Sequence, residues 1–390
     1  MAYASHAPAG LTASSPDTTV TRRAPARERW SWALYDFANT IWSMNVASLY
    51  FVPWLVVDLG ASSSATMWAT ALSSVLMALA IPILGALSDA RRKRKVWVVG
   101  FTLLAVAATI AIGFIGERMI PLYGDSVLGG TVRPESFHLG GSQLLLLGIA
   151  FTVANFAYQA VNPFYNAMMT ELVPPAEYGR LSGLGTGVGY IGTIVGVLLV
   201  APFFNGELPV LGALPESVLT QLRALIPGTS HAGRVSTFVP TALLFLVFSL
   251  PLFLFCRDHN PAPKGTAIPW RSAFTELGKT FREARQHPGA LRFIVTSLIY
   301  QDAVGTITVV LGLYAIQAVG FTQASVNTVF VILPVTAVLG SFLTGWLVDR
   351  IGPKRSLSVV LVSWVVLLIA LVAFPSKTAF WIIGALIGFA

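Results

Sequence analysis

Charge is what this sequence has least of. Only 11% of its 390 residues are Asp, Glu, Lys or Arg, 55% are hydrophobic, and the mean hydropathy is +0.72. A soluble domain carries about 25% charged residues, so a water-soluble globular chain is excluded and an all-α polytopic membrane protein is expected. Cysteine is nearly missing as well. One residue, Cys256, forms no internal disulfide and no thiolate metal cluster, and its place at the end of an apolar run marks it as a packing residue. The five histidines, His6, His138, His231, His259 and His287, all fall in the tail or in loops. No intramembrane proton relay or zinc site can be built from them. Without His-Glu-x-x-His or a Ser/His pair in an apolar run there is no hydrolase signature. Not an enzyme, no cofactor and no metal are the resulting expectations. The chain also lacks an Asn-x-Ser/Thr sequon, and its first thirty residues lack the apolar core of a signal peptide.

What the chain has instead is long apolar runs. A membrane span needs about twenty apolar residues, and nine complete runs lie near 31–57, 65–88, 96–116, 142–170, 179–204, 238–256, 291–316, 324–348 and 356–375. A tenth begins near Thr378 and is still apolar at Ala390, too short to cross, which reads as truncation within the tenth helix. The formal charge of +8 would suit a nucleic-acid binder only if it were clustered on a polar surface. The 25 Lys and Arg sit between the runs, so nucleic acid is not an expected partner. If the tail is cytoplasmic, Arg118, Arg133, Arg223, Arg234 and Lys377 lie outside and the other twenty inside. That asymmetry favours a cytoplasmic N-terminus, in a cell (inner) membrane rather than an organelle membrane.

One stretch recurs. Gly85-Ala-Leu-Ser-Asp89, followed by the cations of 91–95, is echoed by Gly345-Trp-Leu-Val-Asp349-Arg350 and the cations that follow, again between two apolar runs. The echo predicts a duplicated architecture: a disordered cytoplasmic tail at 1–30, an N-terminal six-helix bundle at 31–256, a cytoplasmic linker at 257–290 and an incomplete C-terminal bundle at 291–390. In the linker, Trp270, Phe274, Leu277, Phe281 and Ala284 recur at helical spacing among charges, the pattern of an amphipathic helix on the inner leaflet. It reads equally as a coupling element between halves that move and as a passive basic tether.

Three runs are apolar on nearly every side, 96–116, 238–256 and 356–375, and are expected to face lipid all round. Three others carry polar groups. Asp36, Asn39, Thr40 and Ser43 form one stripe, and Asn155, Tyr158, Gln159, Asn162 and Asn166 form another. Tyr300, Gln301 and Asp302 lie near mid-membrane. An aspartate at the centre of a spanning helix costs about 2.5–3.5 kcal/mol on insertion scales, and a shared aqueous cavity removes that cost. Helix-to-helix hydrogen bonding is the alternative for the Asn and Gln stripe, and a buried structural pair or a boundary position is the alternative for the aspartates. Tyr35-Asp36 and Tyr300-Gln-Asp302 obey nearly the same offset as the recurring loop, so each half carries an acid on its first helix. Symmetry-related acids facing a central cavity suit alternating access by two rocking halves. One further pattern misleads: Gly187-Val-Gly189-Tyr-Ile-Gly192 has the lettering of a dinucleotide fingerprint but lies inside an apolar run with no preceding strand. There, small-xxx-small glycines serve tight helix packing.

The two Gly-x-Leu-x-Asp loops resemble the signature loops of the major facilitator superfamily. More narrowly, Leu34-Tyr35-Asp36-Phe-Ala-Asn39, Asn162-Pro-Phe-Tyr165-Asn166-Ala, Pro174-Pro-Ala-Glu177-Tyr-Gly179-Arg180-Leu-Ser182-Gly183 and Tyr300-Gln-Asp302 resemble the vacuole-effluxer-like family, related to autophagy-linked vacuolar amino-acid exporters. The resemblance implies a major facilitator fold of two six-helix halves. It also implies ion-gradient-driven efflux or exchange of a small polar solute, including amino acids. The polar stripes give the expected pathway residues, Asp36, Asn39, Thr40, Asn155, Gln159, Asn162, Asn166, Tyr300, Gln301 and Asp302, and the signature loops give the expected gating residues, Gly85, Asp89, Gly345, Asp349 and Arg350. The expected partners are a small-molecule substrate, membrane lipid and a coupling proton or cation. In such a fold Asp349 would approach the start of the fifth helix near Gly179, and Asp89 would need helix eleven. Ala90 and Arg92 stand where the family's first loop has Arg and Gly. The alternative function is a non-transporting scaffold or sensor that keeps the fold.

Overall fold

The computed structural model describes residues 23–91, 93–123, 140–208, 212–259 and 323–389, with single positions between 289 and 320. The first helix, α1, runs Ala26–Trp42, so helix begins inside the expected 1–30 tail. Pro25 precedes it and Glu28 lies in its first turn, both favourable at a helix start. It continues without a break as π-helix over Ser43–Tyr50, a short α-helical turn Phe51–Pro53, and π-helix again over Trp54–Asp58. The spans that follow are α2 (Ser63–Arg91), α3 (Arg94–Tyr123), α4 (Gly141–Leu172) and α5 (Tyr178–Asn205). A two-stranded antiparallel hairpin, β1 (Glu207–Leu208) and β2 (Gly212–Ala213), and a short helix α6 (Glu216–Leu225) lead to α7 (Phe238–Phe255). The second half is represented by α8 (Gln323–Ile351), α9 (Pro353–Ala373) and α10 (Lys377–Phe389). Among the described residues, five helices are long and apolar enough to cross a membrane by themselves: α3, α4, α5, α7 and α9.

The core of the first bundle is the aromatic face of α1. Trp32, Tyr35, Ile41 and Trp42 are buried there. Their polar tips need partners in a dry interior, and neighbouring helices supply them. The Tyr35 hydroxyl meets Thr102 Oγ1 at 2.6 Å, and Trp42 Nε1 donates to Thr109 Oγ1 at 2.8 Å. Both pairs are spaced by seven residues on α1 and on α3, which fixes the register of two parallel helices over two turns. On the other side Trp32 Nε1 donates to the Tyr165 carbonyl at 3.0 Å, Tyr165 Oη donates to the Trp32 carbonyl at 3.1 Å, and the rings stack at 4.6 Å. This reciprocal staple ties α1 to α4.

Both ends of the bundle are closed by ion pairs. At the end where α1 starts, Glu28 pairs with His259 at 2.7 Å and Arg94 pairs with Glu171 at 2.8 Å. Asp258 Oδ1 accepts from the Lys95 N–H at 3.0 Å, capping α3. At the other end Asp58, buried just past the first apolar run, pairs with Arg234, whose guanidinium also lies over the Phe204 ring at 5.1 Å.

The expectation that 96–116, 238–256 and 356–375 face lipid all round is met in full by none of the three, and α9 comes nearest, with Ser356 and Leu371 buried. Its Val362, Val365, Val366, Ile369 and Val372 are exposed. In α3 and α7, by contrast, Val98, Ala105 and Ile112 and Phe238, Ala242, Phe245 and Leu252 are buried in the bundle. Apolar side chains suit lipid and a packed core alike, so a helix without a polar face does not reveal which it meets. Of the linker at 257–290, Arg257, Asp258, His259 and Gly289 are described, and the amphipathic stretch lies outside the described residues.

Candidate functional site: an α1–α4–α5 pocket and an α5–α8 latch

The polar stripe of α1 opens against α4 and α5. Asp36 is half-buried, and its carboxylate lies over two glycines of α5. A Cβ added at Gly189 would come within 3.3 Å of Asp36 Oδ2, and one at Gly185 within 3.6 Å. At Gly189 the carboxylate would have to give by a few tenths of an ångström to admit a Cβ, whereas at Gly185 the tight neighbour is the Trp32 ring, at 2.8 Å. Tyr158, Tyr165 and Tyr190 lie within electrostatic range of it. No cation among the described residues pairs with it, although the ion pairs at both ends of the bundle show that this chain does pair its other buried acids. One turn along, Asn39 is 7% exposed and its Oδ1 has no hydrogen-bond partner among the described residues. Tyr158 of α4 stacks on Trp42 at 4.5 Å.

Not every member of the two stripes serves this pocket. Thr40 Oγ1 is bonded to the Gly189 carbonyl at 2.5 Å and to its own helix at Asp36 O, which makes it part of the α1–α5 joint. Asn155 is buried and its Nδ2 donates to Ser73 Oγ on α2 at 2.6 Å, the helix-to-helix hydrogen bond that was the alternative for its stripe. Gln159 and Asn162 are half-buried, and Asn166 is exposed at the Asp349 end of α4. Tyr300 is helical and half-buried, whereas Gln301 and Asp302 lie outside the described residues.

The recurring loops behave unequally. Asp349 Oδ1 accepts from the Gly179 N–H at 2.8 Å and Oδ2 from the Arg180 N–H at 3.0 Å, with the Arg180 guanidinium at 3.4 Å. These are the first N–H groups of α5, which have no partner within the helix and carry the positive end of its dipole. The carboxylate is therefore a cap supplied by the other half. Beside it, Gly345 packs against α5 backbone: a Cβ there would sit 2.6 Å from the Gly179 carbonyl and 3.0 Å from Gly183 Cα. Arg350 lies over the Trp346 ring at 4.2 Å, so its cation is held on its own helix. At Gly85 a Cβ would meet nothing within 4 Å, and the Asp89 side chain lies outside the described residues. Arg94, one of the cations read as a topology signal, is also structural. It donates to the Ala167 carbonyl at 2.6 Å and to Glu171.

The glycines of α5 thus divide between two partners. Gly179, Gly183 and Gly187 face α8, where Ser341, Phe342 and Gly345 approach, whereas Gly185, Gly189, Gly192 and Gly196 face α1. Gly187, the last of the glycines that face α8, lies between Gly185 and Gly189, which face Asp36. Two groups of helices joined through α5 and α8, with an acid on α1 that has no partner among the described residues, suit a membrane carrier.

Comparison with known proteins agrees. Residues 37–390 match the Major Facilitator Superfamily, and the chain belongs to that family of transporters. It is 24% identical over 365 residues to the uncharacterized MFS-type transporter YxiO of Bacillus subtilis (strain 168), covering 92% of this chain and 76% of that protein. It is 28% identical over 329 residues to the multidrug resistance protein MdtG of Klebsiella pneumoniae (strain 342), covering 82% of this chain and 65% of that one. Its fold is similar to the Escherichia coli fucose:proton symporter FucP, with a TM-score of 0.60 at 14% identity over 93% of this chain and 80% of that chain. The proton:xylose symporter XylE gives 0.56 at 15%, over 93% and 77%. The expected fold class and the absence of an enzyme signature stand with these findings, as does a multi-pass integral membrane location.

Proposed function

We propose that this protein is an ion-coupled secondary transporter that moves a small polar solute by alternating access, with Asp36 as its ion-responsive group. The observation that carries the reading is the Asp36 carboxylate, paired with no cation among the described residues and lying beside α5, the helix that meets α8. A carboxylate in such a position costs free energy unless a mobile cation or proton joins it, and arrival of that partner is what can bias one arrangement of the halves over another. Asp302, the corresponding acid of the second half by sequence, is its proposed counterpart. Asp349 on the first N–H groups of α5 is the proposed gate that holds one face shut, with Gly345 allowing the approach.

The solute is proposed from the chemistry of the pocket: tyrosine hydroxyls, the amides of Asn39, Gln159 and Asn162, and one acid suit a small molecule carrying a hydrogen-bonding or amino group. Amino acids, the substrate class of the vacuole-effluxer-like resemblance, belong in the test panel. So do drugs and sugars, given the names of MdtG and of the fucose and xylose symporters. An inner cell membrane with a cytoplasmic N-terminus is proposed from the distribution of Lys and Arg. In proteoliposomes, Asp36→Asn should abolish gradient-driven flux while leaving the protein monodisperse, since it keeps the shape and removes the charge. Undiminished flux by that variant would remove Asp36 from its role, and no gradient-dependent movement of any solute by the wild type would favour the scaffold reading.

A further inference from the structure

The short helix α6, between the ends of α5 and α7, is built with two faces. Val218, Leu222 and Leu225 follow one another at i, i+4 and i+7, whereas Ser217, Thr220, Gln221 and Ala224 line the opposite side. The bundle takes only the edge between them. Leu219 is buried there, and a Cβ added at Gly206 on the end of α5 would lie 3.0 Å from its Cδ1. Val218 is 39% exposed and Leu225 78%, so the bundle leaves the apolar row itself uncovered. The helix is also fixed where it ends. Thr229 Oγ1 donates to the carbonyls of Arg223 at 3.1 Å and Ile226 at 2.7 Å, which closes the last turn. Beyond it a Cβ at Gly228 would lie 3.1 Å from Val239 of α7 and 3.6 Å from the Phe114 ring of α3, and the Ser230 N–H donates to Glu117 of α3 at 3.4 Å.

The depth of that row is set by α3. Val96, Leu103, Leu104 and Phe114 form a stripe of exposed apolar side chains along it, the kind of surface a bundle gives to lipid. From Val96 to Phe114 the helix is about 27 Å long, and a hydrocarbon core is about 30 Å thick. Phe114 therefore marks the membrane boundary, and Arg118, exposed one turn further on, stands among the headgroups. Gly228 rests against Phe114, which brings the end of α6 to the same level. From this geometry we infer that α6 lies in the membrane surface at the end of the bundle opposite the latch, with Val218, Leu222 and Leu225 among the lipid acyl chains and Thr220 and Ala224 in water. Three apolar side chains fall well short of the roughly 800 Å² per partner that a stable protein interface buries, whereas they continue the lipid stripe of α3. Arg223, half-buried at the border of the two faces, adds a second cation at headgroup level. Through Leu219 on Gly206 the membrane surface thereby holds the far end of α5, the helix that meets α8.

Cys256 is the chain's one cysteine and is buried, so cysteines introduced on α6 can be labelled singly, with the unsubstituted protein as background. Nitroxide spin labels are placed in turn at Ser217, Val218, Thr220, Leu222, Ala224 and Leu225 in the full chain, reconstituted in vesicles of phosphatidylcholine and phosphatidylglycerol. Collision rates are then measured with oxygen, which concentrates in lipid, and with a water-soluble nickel chelate. The expected result is severalfold more oxygen than chelate contact at Val218, Leu222 and Leu225, and the reverse at Ser217, Thr220 and Ala224. A charge in the row should lift the helix toward water, so Leu225→Asp should raise chelate contact at Val218 severalfold. Chelate that reaches Leu225 as readily as Ala224 overturns the inference. A Leu225 label shielded from both reagents overturns it too, because a protein segment or a second copy then covers the row. Should the label at Leu222 disturb folding, Leu225 and Ala224, both exposed, decide. No transport is measured, so either result leaves the carrier reading to its own test.

Discussion

Arg234 and Asp58 show what the chain does with a buried charge it means to keep paired. Their contact closes the end of the first bundle opposite the latch, with both side chains largely buried. Breaking a buried pair leaves an uncompensated charge, which costs about 3–5 kcal/mol, whereas replacing both partners together costs far less. Arg234→Ala should therefore lower the melting temperature in detergent sharply, and Asp58→Asn with Arg234→Met should recover most of the loss. Equal, additive losses in the single and double variants would contradict the pairing. Asp36 is the contrasting case, and its place among the candidates was legible in the sequence because a lone acid inside an apolar run is costly wherever it points. The fates of Thr40 and Asn155 were not legible. Both lie on the same stripes as pocket residues, and only the rotation of the neighbouring helices turns one toward the Gly189 carbonyl and the other toward Ser73. The clasp of Glu28, His259, Arg94 and Glu171 was likewise hidden, because its partners lie 231 and 77 positions apart with no local pattern to link them.

Among the elements, α5 carries the argument. Its glycine spacing announced tight helix packing, but not that the glycines serve two partners on two faces. Gly183 belongs to the α8 side, where a Cβ would come within 2.6 Å of the Ser341 carbonyl and 3.0 Å of Gly345 Cα. Gly183→Val forces backbone apart, and overpacking of that kind costs about 1–3 kcal/mol. If the joint can open, that cost falls on the closed arrangement. A cysteine at Ala176 beside the latch should then react several-fold faster with a membrane-impermeant maleimide. An unchanged rate would mean that α5 and α8 form a fixed contact. The π-helical course of α1 had no counterpart in the sequence reading, because a π turn changes the hydrogen-bond ladder without changing which residue types line the helix.

At the scale of the whole molecule, the account holds that two bundles meet along the α5–α8 joint and rock about it, with the Asp349 cap as the catch. The duplicated loops predicted two related halves, and Asp349 is found on Gly179 where the family resemblance put it. Asp349→Asn keeps the shape of the cap but offers one amide oxygen in place of two carboxylate oxygens, so one charge-assisted hydrogen bond becomes neutral and the one to the exposed Arg180 N–H is lost to water, a difference of about 1–2 kcal/mol. That should move the equilibrium away from the latched arrangement about five- to thirty-fold. The most direct measurement places spin labels at exposed positions on both faces, Ala176 with Arg355 beside the latch and Ser142 with Pro375 at the opposite ends of the same helices. Distance distributions are then recorded in proteoliposomes for wild type and Asp349→Asn. The account predicts that the variant lengthens the first distance and shortens the second, in matching proportions. A single unaltered distance on both faces, in wild type and variant alike, would contradict it.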